Sequence, residues 1–236
     1  MKTTEIWNKF TQGIWKRTLK FRVGLSKLFI YKIPGLYSVI DSEGEVPQVQ
    51  VAAYQMISDK YLRPEDSVLD VGFGLGYGLN LMSKKAKTLA GIDIDRLAVA
   101  KGNHNLLNNP RIRELKRYDG LNIPYPEKSF DVVTCIDVIE HVPDYTQLIN
   151  NMCRIARRVV IISTPNKRAE FTKPDGRPMN PWHLREWSFD EFDSILSELG
   201  VKYEWNLLNG NWDGPFEVSS ALNENTMALT PAIKVA

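Results

Sequence analysis

Apolar and polar positions follow two different spacings along the chain from about residue 46 onwards. Short runs of β-branched and other apolar residues, typical of buried strands, are separated by stretches with the spacing of amphipathic helices. Strands that alternate with helices predict an α/β fold, with a doubly wound sheet of mostly parallel strands. We expect seven strands, with the last two as an antiparallel hairpin at the C-terminal edge: 67–71, 88–92, 112–118, 130–136, 159–163, 201–208 and 216–229.

Residues 1–45 differ from the rest of the chain in charge and are predicted to form an N-terminal helical extension. Residues 2–32 hold eight Lys or Arg and a single acid, and at helical spacing the lysines fall opposite a row of apolar side chains. In one interpretation this basic amphipathic segment contacts an anionic membrane or a partner protein. In the other it packs on its own domain and leaves a solvated lysine face. Residues 46–236 are predicted to form one further domain.

Composition and charge exclude several classes of protein. The chain of 236 residues is 43% hydrophobic and 25% charged, which indicates neither a disordered chain nor a membrane channel. Its net charge of +2 is too small to indicate a nucleic-acid partner by itself. Cys135 and Cys153 lie in apolar patterns, which favours reduced core residues over a disulfide or metal pair. Without a transmembrane-length apolar run or a signal-peptide core, we expect a cytoplasmic protein, membrane-associated only at the periphery.

Residues 68–78 hold the clearest binding motif in the chain. A short apolar run contains Asp70 and is followed by glycine at every second position, including Gly72, Gly74 and Gly76. Glycine permits positive φ angles and lets a ligand approach the backbone without meeting a Cβ. A tight strand-to-helix turn of this kind binds a nucleotide or a similar ligand in many α/β sheets.

The residues around this turn narrow the choice of ligand. A nicotinamide or flavin fingerprint needs a third glycine where Tyr77 stands, and the Gly-Lys-Ser/Thr of a phosphate-binding loop is absent. Asp93 follows about twenty residues on, at the end of the predicted second strand, where a carboxylate can accept both hydroxyls of a ribose. Helix capping is the alternative role for such an acid. Asp95 is better placed for that role.

The ordered motifs between about residues 46 and 199 resemble those of the class I S-adenosylmethionine-dependent methyltransferases, whose fold is Rossmann-like. They are Asp70-x-Gly72-x-Gly74-x-Gly76, Gly91-Ile-Asp93, Tyr118-Asp119, IPYPEKSFDVV at 123–133, DVIEHVP at 137–143 and ISTPN at 162–166. The resemblance implies a methyltransferase that uses S-adenosylmethionine as its methyl donor. It also implies donor-binding roles for Asp70, Gly72, Gly74, Gly76, Asp93, Asp119 and Asp137, with Asp119 beside the adenine.

Four side chains are candidates for the chemistry of the acceptor. Asp137, Glu140 and His141 are spaced i, i+3 and i+4, so they share a face on a helical turn, and His183 lies beyond the predicted fifth strand on the same rim. Either histidine is a candidate general base for a hydroxyl acceptor. All four are candidate ligands of a divalent cation such as Mg²⁺. Two branches of the family carry a similar Glu-x-x-Glu-His and use a metal, namely the ubiquinone-pathway O-methyltransferases and the small-RNA 3′-terminal 2′-O-methyltransferases. In a third interpretation Glu140 and His141 only shape the loop.

Residues 182–192 resemble a segment that is common in methyltransferases of sugars and other small polar metabolites. In that interpretation Arg185 binds an acidic group of the acceptor, and Trp182 or Trp187 stacks on a sugar or base. Ordinary core packing is the alternative for Trp187. The preceding loop carries four cations, which indicate either an anionic acceptor or a solvated surface: Lys167, Arg168, Lys173 and Arg177.

These observations lead to three hypotheses for the function. The first is a methyltransferase that acts on a hydroxyl of a small polar metabolite, sugar or glycan. The second is an RNA-end 2′-O-methyltransferase with a divalent metal, ranked lower because no RNA-binding module accompanies the domain and the basic character is local. The third is a non-catalytic scaffold protein that has kept the donor pocket.

Overall fold

The described part of the chain, residues 47–211 and 214–235 of a computed structural model, is built around one sheet with helices on both faces. The helices are α1 (Gln48–Lys60), α2 (Tyr77–Met82), α3 (Arg96–Asn105), α4 (Tyr145–Ile155) and α5 (Phe189–Glu198), with short 3-10 helices at Ile139–His141 and Ala169–Phe171. The strands are β1 (Ser67–Val71), β2 (Thr88–Asp93), β3 (Ile112–Arg117), β4 (Phe130–Ile136), β5 (Ala156–Pro165), β6 (Lys202–Gly210), β7 (Phe216–Ser219) and β8 (Thr226–Lys234). The predicted extension 1–45, with its membrane or partner contacts through residues 2–32, lies outside the described residues.

The strands follow the order β3-β2-β1-β4-β5-β8-β6-β7. Neighbours from β3 to β5 pair in parallel, while β8 is antiparallel to both β5 and β6, and β7 is antiparallel to β6. The order reverses direction beside β1, which is the arrangement of a doubly wound sheet. The predicted fold class, a mostly parallel Rossmann-like α/β sheet, is therefore confirmed.

The C-terminal part of the sheet differs from the prediction of seven strands with an edge hairpin. Residues 216–229, predicted as one strand, contain β7, a turn and the start of β8, which gives eight strands. The turn is closed by polar contacts, since Asn223 accepts from the backbone of Asn225 at 2.8 Å. β8 inserts between β5 and β6, although Pro231 would ordinarily argue against an interior strand. Its ladder to β5 lacks pairs between Leu229 and Ala232, so the proline lies in that gap.

Alternating side chains of the strands build a core on each face of the sheet. Leu69 and Val71 of β1 pack on one side with α4 and α5, while Val68 packs on the other with α1 and α2. Because β1, β2, β4 and β5 run in parallel, their carboxyl ends meet at one rim of the sheet. The predicted functional residues that follow these strands are thereby brought to the same edge.

Candidate functional site

The glycine turn leaves β1 at this rim and leads into α2. Gly72, Gly74 and Gly76 have φ angles of +76°, +56° and +84°, a region that side-chain-bearing residues rarely adopt. A Cβ on Gly72 would lie 2.4 Å from Cγ2 of Val138, so the turn passes tightly beneath the segment after β4. A Cβ on Gly74 would meet nothing within 4 Å, so the turn faces open space at that residue. The turn therefore leaves its backbone open to a ligand at Gly74.

Asp70 lies beneath the turn and is fully buried. Thr134 donates its hydroxyl hydrogen to Oδ1 at 2.7 Å, and Tyr54 of α1 donates to Oδ2 at 3.0 Å. Burial raises the pKa of Asp70 to about 7, although the hydrogen bonds from Thr134 and Tyr54 each lower it. Its carboxylate thus ties α1 and β4 to β1, which places it as a support of the turn. A direct contact with a donor stays a prediction.

Asp93 ends β2 beside the turn. Its Oδ2 accepts from the backbone N–H of Gly74 at 2.9 Å, and its Oδ1 accepts from that of Asp95 at 2.8 Å. Burial raises its pKa to about 6. The predicted capping role of Asp95 is confirmed, because its side chain accepts from the N–H of Leu97 at the start of α3. The predicted ribose contact of Asp93 therefore involves a carboxylate whose position is already fixed by the turn.

Asp119 lies on the surface after β3. Its three hydrogen bonds stay within its own turn: Oδ1 accepts from the N–H groups of Leu121 and Asn122, and Oδ2 accepts from the Asn122 amide. The Asn122 side chain is the main reason why the pKa of Asp119 is lowered. These hydrogen bonds show that Asp119 stabilises its own turn. Its contact with the adenine stays a prediction.

Asp137 is separated from the other candidate metal ligands by its hydrogen bonds. It has a φ angle of +51°, and its carboxylate accepts from the Gln50 amide at 2.9 Å and from the Ser163 hydroxyl at 3.2 Å. Gln50 also accepts a hydrogen bond from Tyr77, so α1 connects Asp137 with the first residue of α2. Burial raises the pKa of Asp137. These contacts place it beside the glycine turn, and its donor-binding role stays a prediction.

Glu140, His141 and His183 converge at the rim. One nitrogen or oxygen atom from each lies within 4.8 Å of the others, and the two imidazole rings meet edge to face with centroids 4.8 Å apart. Glu140 is fully buried; its Oε2 accepts from Thr164, whereas its Oε1, within the described chain, has no hydrogen-bond partner. That Oε1 lies 3.9 Å from Nε2 of His141. Three of the four predicted metal ligands are therefore brought together.

The two imidazoles are anchored through their Nδ1 atoms. The Nδ1 of His141 lies 2.8 Å from the carbonyl oxygen of Trp182, which only accepts, and the Nδ1 of His183 lies 2.6 Å from Oε1 of Glu186. In metal sites, a ligating histidine usually donates its other ring N–H to a carbonyl or carboxylate in this way. Burial, and then His183, lower the pKa of His141 to about 4, so this ring is neutral at pH 7.

The residues present fit a divalent cation. A buried carboxylate oxygen without a hydrogen-bond partner lies beside two anchored imidazoles, and two imidazoles with one carboxylate form a ligand set that divalent transition metals accept. Burial and the charge of Asp137 raise the pKa of Glu140 well above its usual value. A cation beside Glu140 would offset both effects.

Four supporting residues were not identified from the sequence. Tyr54 and Gln50 lie on α1, before the glycine motif, and nothing in the spacing of an amphipathic helix distinguishes them from core or surface residues. Thr134 is an inward-facing strand residue, for which only its position in β4 opposite Asp70 signals a role. Glu186 follows His183 by three residues, and this spacing is the one sequence feature that indicates a contact between the two side chains.

With the geometry established, the chain can be compared with known proteins. A family model described as a methyltransferase domain matches residues 48–205. The chain belongs to the methyltransferase domain family. It is similar to probable S-adenosylmethionine-dependent methyltransferases of Mycolicibacterium smegmatis, 34% identical over 139 residues covering 58% of this chain and 52% of the relative. A Mycobacterium tuberculosis relative of the same description is 36% identical over 135 residues, 56% of this chain and 47% of the relative. The chain therefore spans about half the length of these curated relatives.

The fold of this methyltransferase domain also matches solved structures. The crystal structure of YcgJ from Bacillus subtilis superposes with a TM-score of 0.60 at 20% identity, covering 77% of this chain and 97% of that one. Across the two described ranges, the helices are too short or too polar to span a bilayer. Cys135 and Cys153 are both free thiols, as expected.

The loop between β5 and α5 of the methyltransferase domain shows mostly internal contacts. Trp187 is buried and stacks on Phe192 with centroids 5.3 Å apart, which supports core packing as its role. Arg185 donates to the carbonyl oxygen of Pro143 at 3.0 Å and lies over the ring of Tyr145. Three of the four loop cations have carboxylate partners in the ion pairs Lys167–Glu191, Arg168–Glu170 and Arg177–Asp175. These ion pairs weaken the argument for an anionic acceptor.

Proposed function

We propose that this methyltransferase domain transfers the methyl group of S-adenosylmethionine to a hydroxyl of a small polar molecule, such as a sugar or glycan. The donor follows from the family and from the similarity to S-adenosylmethionine-dependent methyltransferases of the two mycobacterial species. The hydroxyl follows from one observation, namely the two anchored imidazoles and the buried carboxylate on the rim that carries the glycine turn. A hydroxyl has a high pKa, so its methylation needs a group that takes its proton.

The residues of the rim have separate roles in this proposal. The glycine turn approaches the methionine part of the donor, Asp93 binds the ribose, and Asp119 lies beside the adenine. Asp137, fixed by Gln50, lies close to the positively charged sulfonium. Methyl transfer from a sulfonium is an in-line displacement, so the protein contributes mainly by positioning donor and acceptor.

The proton of the acceptor goes to an imidazole nitrogen. The hydroxyl oxygen forms a bond to the methyl carbon while the carbon–sulfur bond breaks, and the electron pair of that bond stays on sulfur as a neutral thioether. The Nε2 atom of His141 accepts the hydroxyl proton, or that of His183 once the acceptor displaces the Asn180 amide, since Nδ1 of each ring is engaged in its anchoring hydrogen bond. Both rings are thereby suited to act as general bases.

A second version of the proposal adds a divalent cation held by Glu140, His141 and His183. When bound, the cation would lower the pKa of the acceptor hydroxyl. Two imidazole ligands favour a transition metal such as Mn²⁺, Fe²⁺ or Zn²⁺ over Mg²⁺, which prefers oxygen ligands. The RNA-end 2′-O-methyltransferase hypothesis depends on this version.

The acceptor class is tested by incubating the protein with methyl-labelled donor and separate pools of monosaccharides, oligosaccharides and short RNA. We expect label in a sugar pool, attached through oxygen as identified by mass spectrometry, and loss of that transfer in His141→Ala with His183→Ala. Label confined to RNA, with affinity that falls steeply as salt rises, would instead support the second hypothesis. Donor binding without transfer to any pool would favour the scaffold hypothesis.

A further inference from the structure

His183 is held by a carboxylate that the motifs did not identify. Glu186 lies three residues further along, and its Oε1 is 2.6 Å from Nδ1 of His183. The side chains of His183 and Glu186 are only 10% and 7% exposed, so water competes little for this contact. A charge-assisted hydrogen bond of this length in a buried position is among the stronger ones that proteins form.

The neighbouring hydrogen bonds determine which nitrogen of His183 carries the proton. Asn180 Oδ1 accepts from the backbone N–H of Trp182 at 3.0 Å, which directs the amide Nδ2 towards His183. That Nδ2 lies 2.8 Å from Nε2 of the imidazole. An amide NH₂ group donates and does not accept, so Nε2 must be the acceptor and the neutral ring carries its hydrogen on Nδ1. Glu186 is the group that receives this hydrogen.

We propose that Glu186 is the positioning residue of His183, fixing the imidazole as the Nδ1–H tautomer so that the Nε2 lone pair faces the acceptor side of the rim. In the free protein, the Asn180 amide donates a hydrogen bond to that lone pair. An acceptor hydroxyl or a cation takes the place of its amide. The functional consequence rests on the proposed methyl transfer, whereas the position of the proton is a property of the free protein.

The neighbouring ring, His141, is anchored in the same way as His183. His141 donates its Nδ1–H to the carbonyl of Trp182, so both rings direct Nε2 away from their anchors. The ligand atoms of both rings and of Glu140 lie within 4.8 Å of one another. Two imidazoles with the same tautomer, each anchored by a separate acceptor, leave Nε2 as the nitrogen for a proton or a cation, at His183 once the Asn180 amide is displaced. Anchors of this type typically change metal affinity about 10- to 100-fold when removed.

The tautomer is measured directly by nitrogen NMR of protein labelled at histidine. The chain contains three histidines, so the His183 signals can be assigned with one His183→Ala spectrum. We expect an Nδ1–H signature for His183 in the unsubstituted protein, where Glu186 and Asn180 both favour it, and its loss when Glu186→Leu is combined with Asn180→Ala. Asn180→Ala, which leaves Glu186 in place, retains the signature, as does Glu170→Leu, which removes an exposed acid of the same loop. An unchanged tautomer in the double variant, or loss of the signature in Asn180→Ala alone, would overturn the proposal.

Titrations with Mn²⁺ test whether Glu186 acts through His183. We expect Glu186→Leu to weaken Mn²⁺ binding about 10- to 100-fold, and to have less than about a 2-fold effect in the His183→Ala background. Equal losses in both backgrounds would contradict the positioning role. Donor affinity is measured alongside and should stay within about 2-fold of the unsubstituted value, which confirms folding. If Mn²⁺ does not bind the unsubstituted protein, the cation version of the proposed function is wrong, and the NMR measurement of the His183 tautomer alone tests the role of Glu186. If the donor does not bind, the proposed function fails while the tautomer result stands.

Discussion

The buried acid beneath the glycine turn predicts a specific dependence of stability on pH. The Asp70 carboxyl has a pKa of about 7 in the folded protein because of burial, against an ordinary value of 3.8. The folded state therefore holds this proton more tightly than the unfolded state between these two pH values. The free energy of unfolding falls by about 1.4 kcal/mol per pH unit over that interval, so stability decreases as pH rises towards 7. Between pH 5 and pH 8 the loss from this group is roughly 2.5 kcal/mol.

Asp70→Asn removes the titration and keeps the shape of the side chain. The amide oxygen still accepts from Thr134, and the amide NH₂ group faces the Tyr54 hydroxyl, which can accept as well as donate. Urea unfolding without donor at pH 5 and pH 8 measures the effect, with Glu217→Gln as a control for removal of an exposed charge. We expect the free energy of unfolding of Asp70→Asn, taken relative to that of the unsubstituted protein, to be about 2.5 kcal/mol higher at pH 8 than at pH 5. A difference that is the same at both pH values would refute the buried-acid argument.

Two further predictions concern the same turn. Gly72→Ala places a Cβ 2.4 Å from Val138 at a φ angle of +76°, so we expect a loss of about 2–4 kcal/mol in thermal unfolding. Gly176→Ala has a similar φ of +82° but open space, and should lose only about 1 kcal/mol; equal losses would show that the contact with Val138 is unimportant. Thr134→Val removes a donor from the Asp70 carboxylate and should cost about 1–3 kcal/mol. That cost should be larger at pH 8 than at pH 5, and a pH-independent cost would contradict the prediction.

The parallel half of the fold was predictable from the sequence because most of its strands are short runs rich in apolar residues, β3 being the exception. Residues 67–71 and 130–136 match β1 and β4 at both ends. The position of β8 was not predictable in this way. Its insertion between β5 and β6 is decided by pairing between distant parts of the chain, and Pro231 indicates an edge rather than an interior strand.

The candidate site was predictable in its residues but less so in their contacts. The spacing of Glu140 and His141, with His183 beyond β5, predicted a convergence that the structure shows. The same spacing included Asp137, but its backbone has a φ angle of +51°, and its carboxylate is held by Gln50 instead. No local pattern in the sequence reveals that a residue of α1 reaches across to the segment after β4.

The supports of the rim illustrate a general limit of sequence patterns. Tyr54 and Thr134 hold Asp70 from two different elements, and each is ordinary for its helix or strand. Their role depends on the tertiary arrangement of α1, β1 and β4. A pattern identifies the acid, whereas the structure identifies the donors that allow it to be buried.

We infer that the turn after β1 and the acid at the end of β2 bind S-adenosylmethionine. Titration calorimetry with this donor tests it most directly, using the unsubstituted protein and Asp93→Ala. We expect binding at a single site in the unsubstituted protein and affinity at least about 10-fold weaker in Asp93→Ala, since the ribose hydroxyls lose a charged acceptor. The absence of binding to the folded, unsubstituted protein would contradict it.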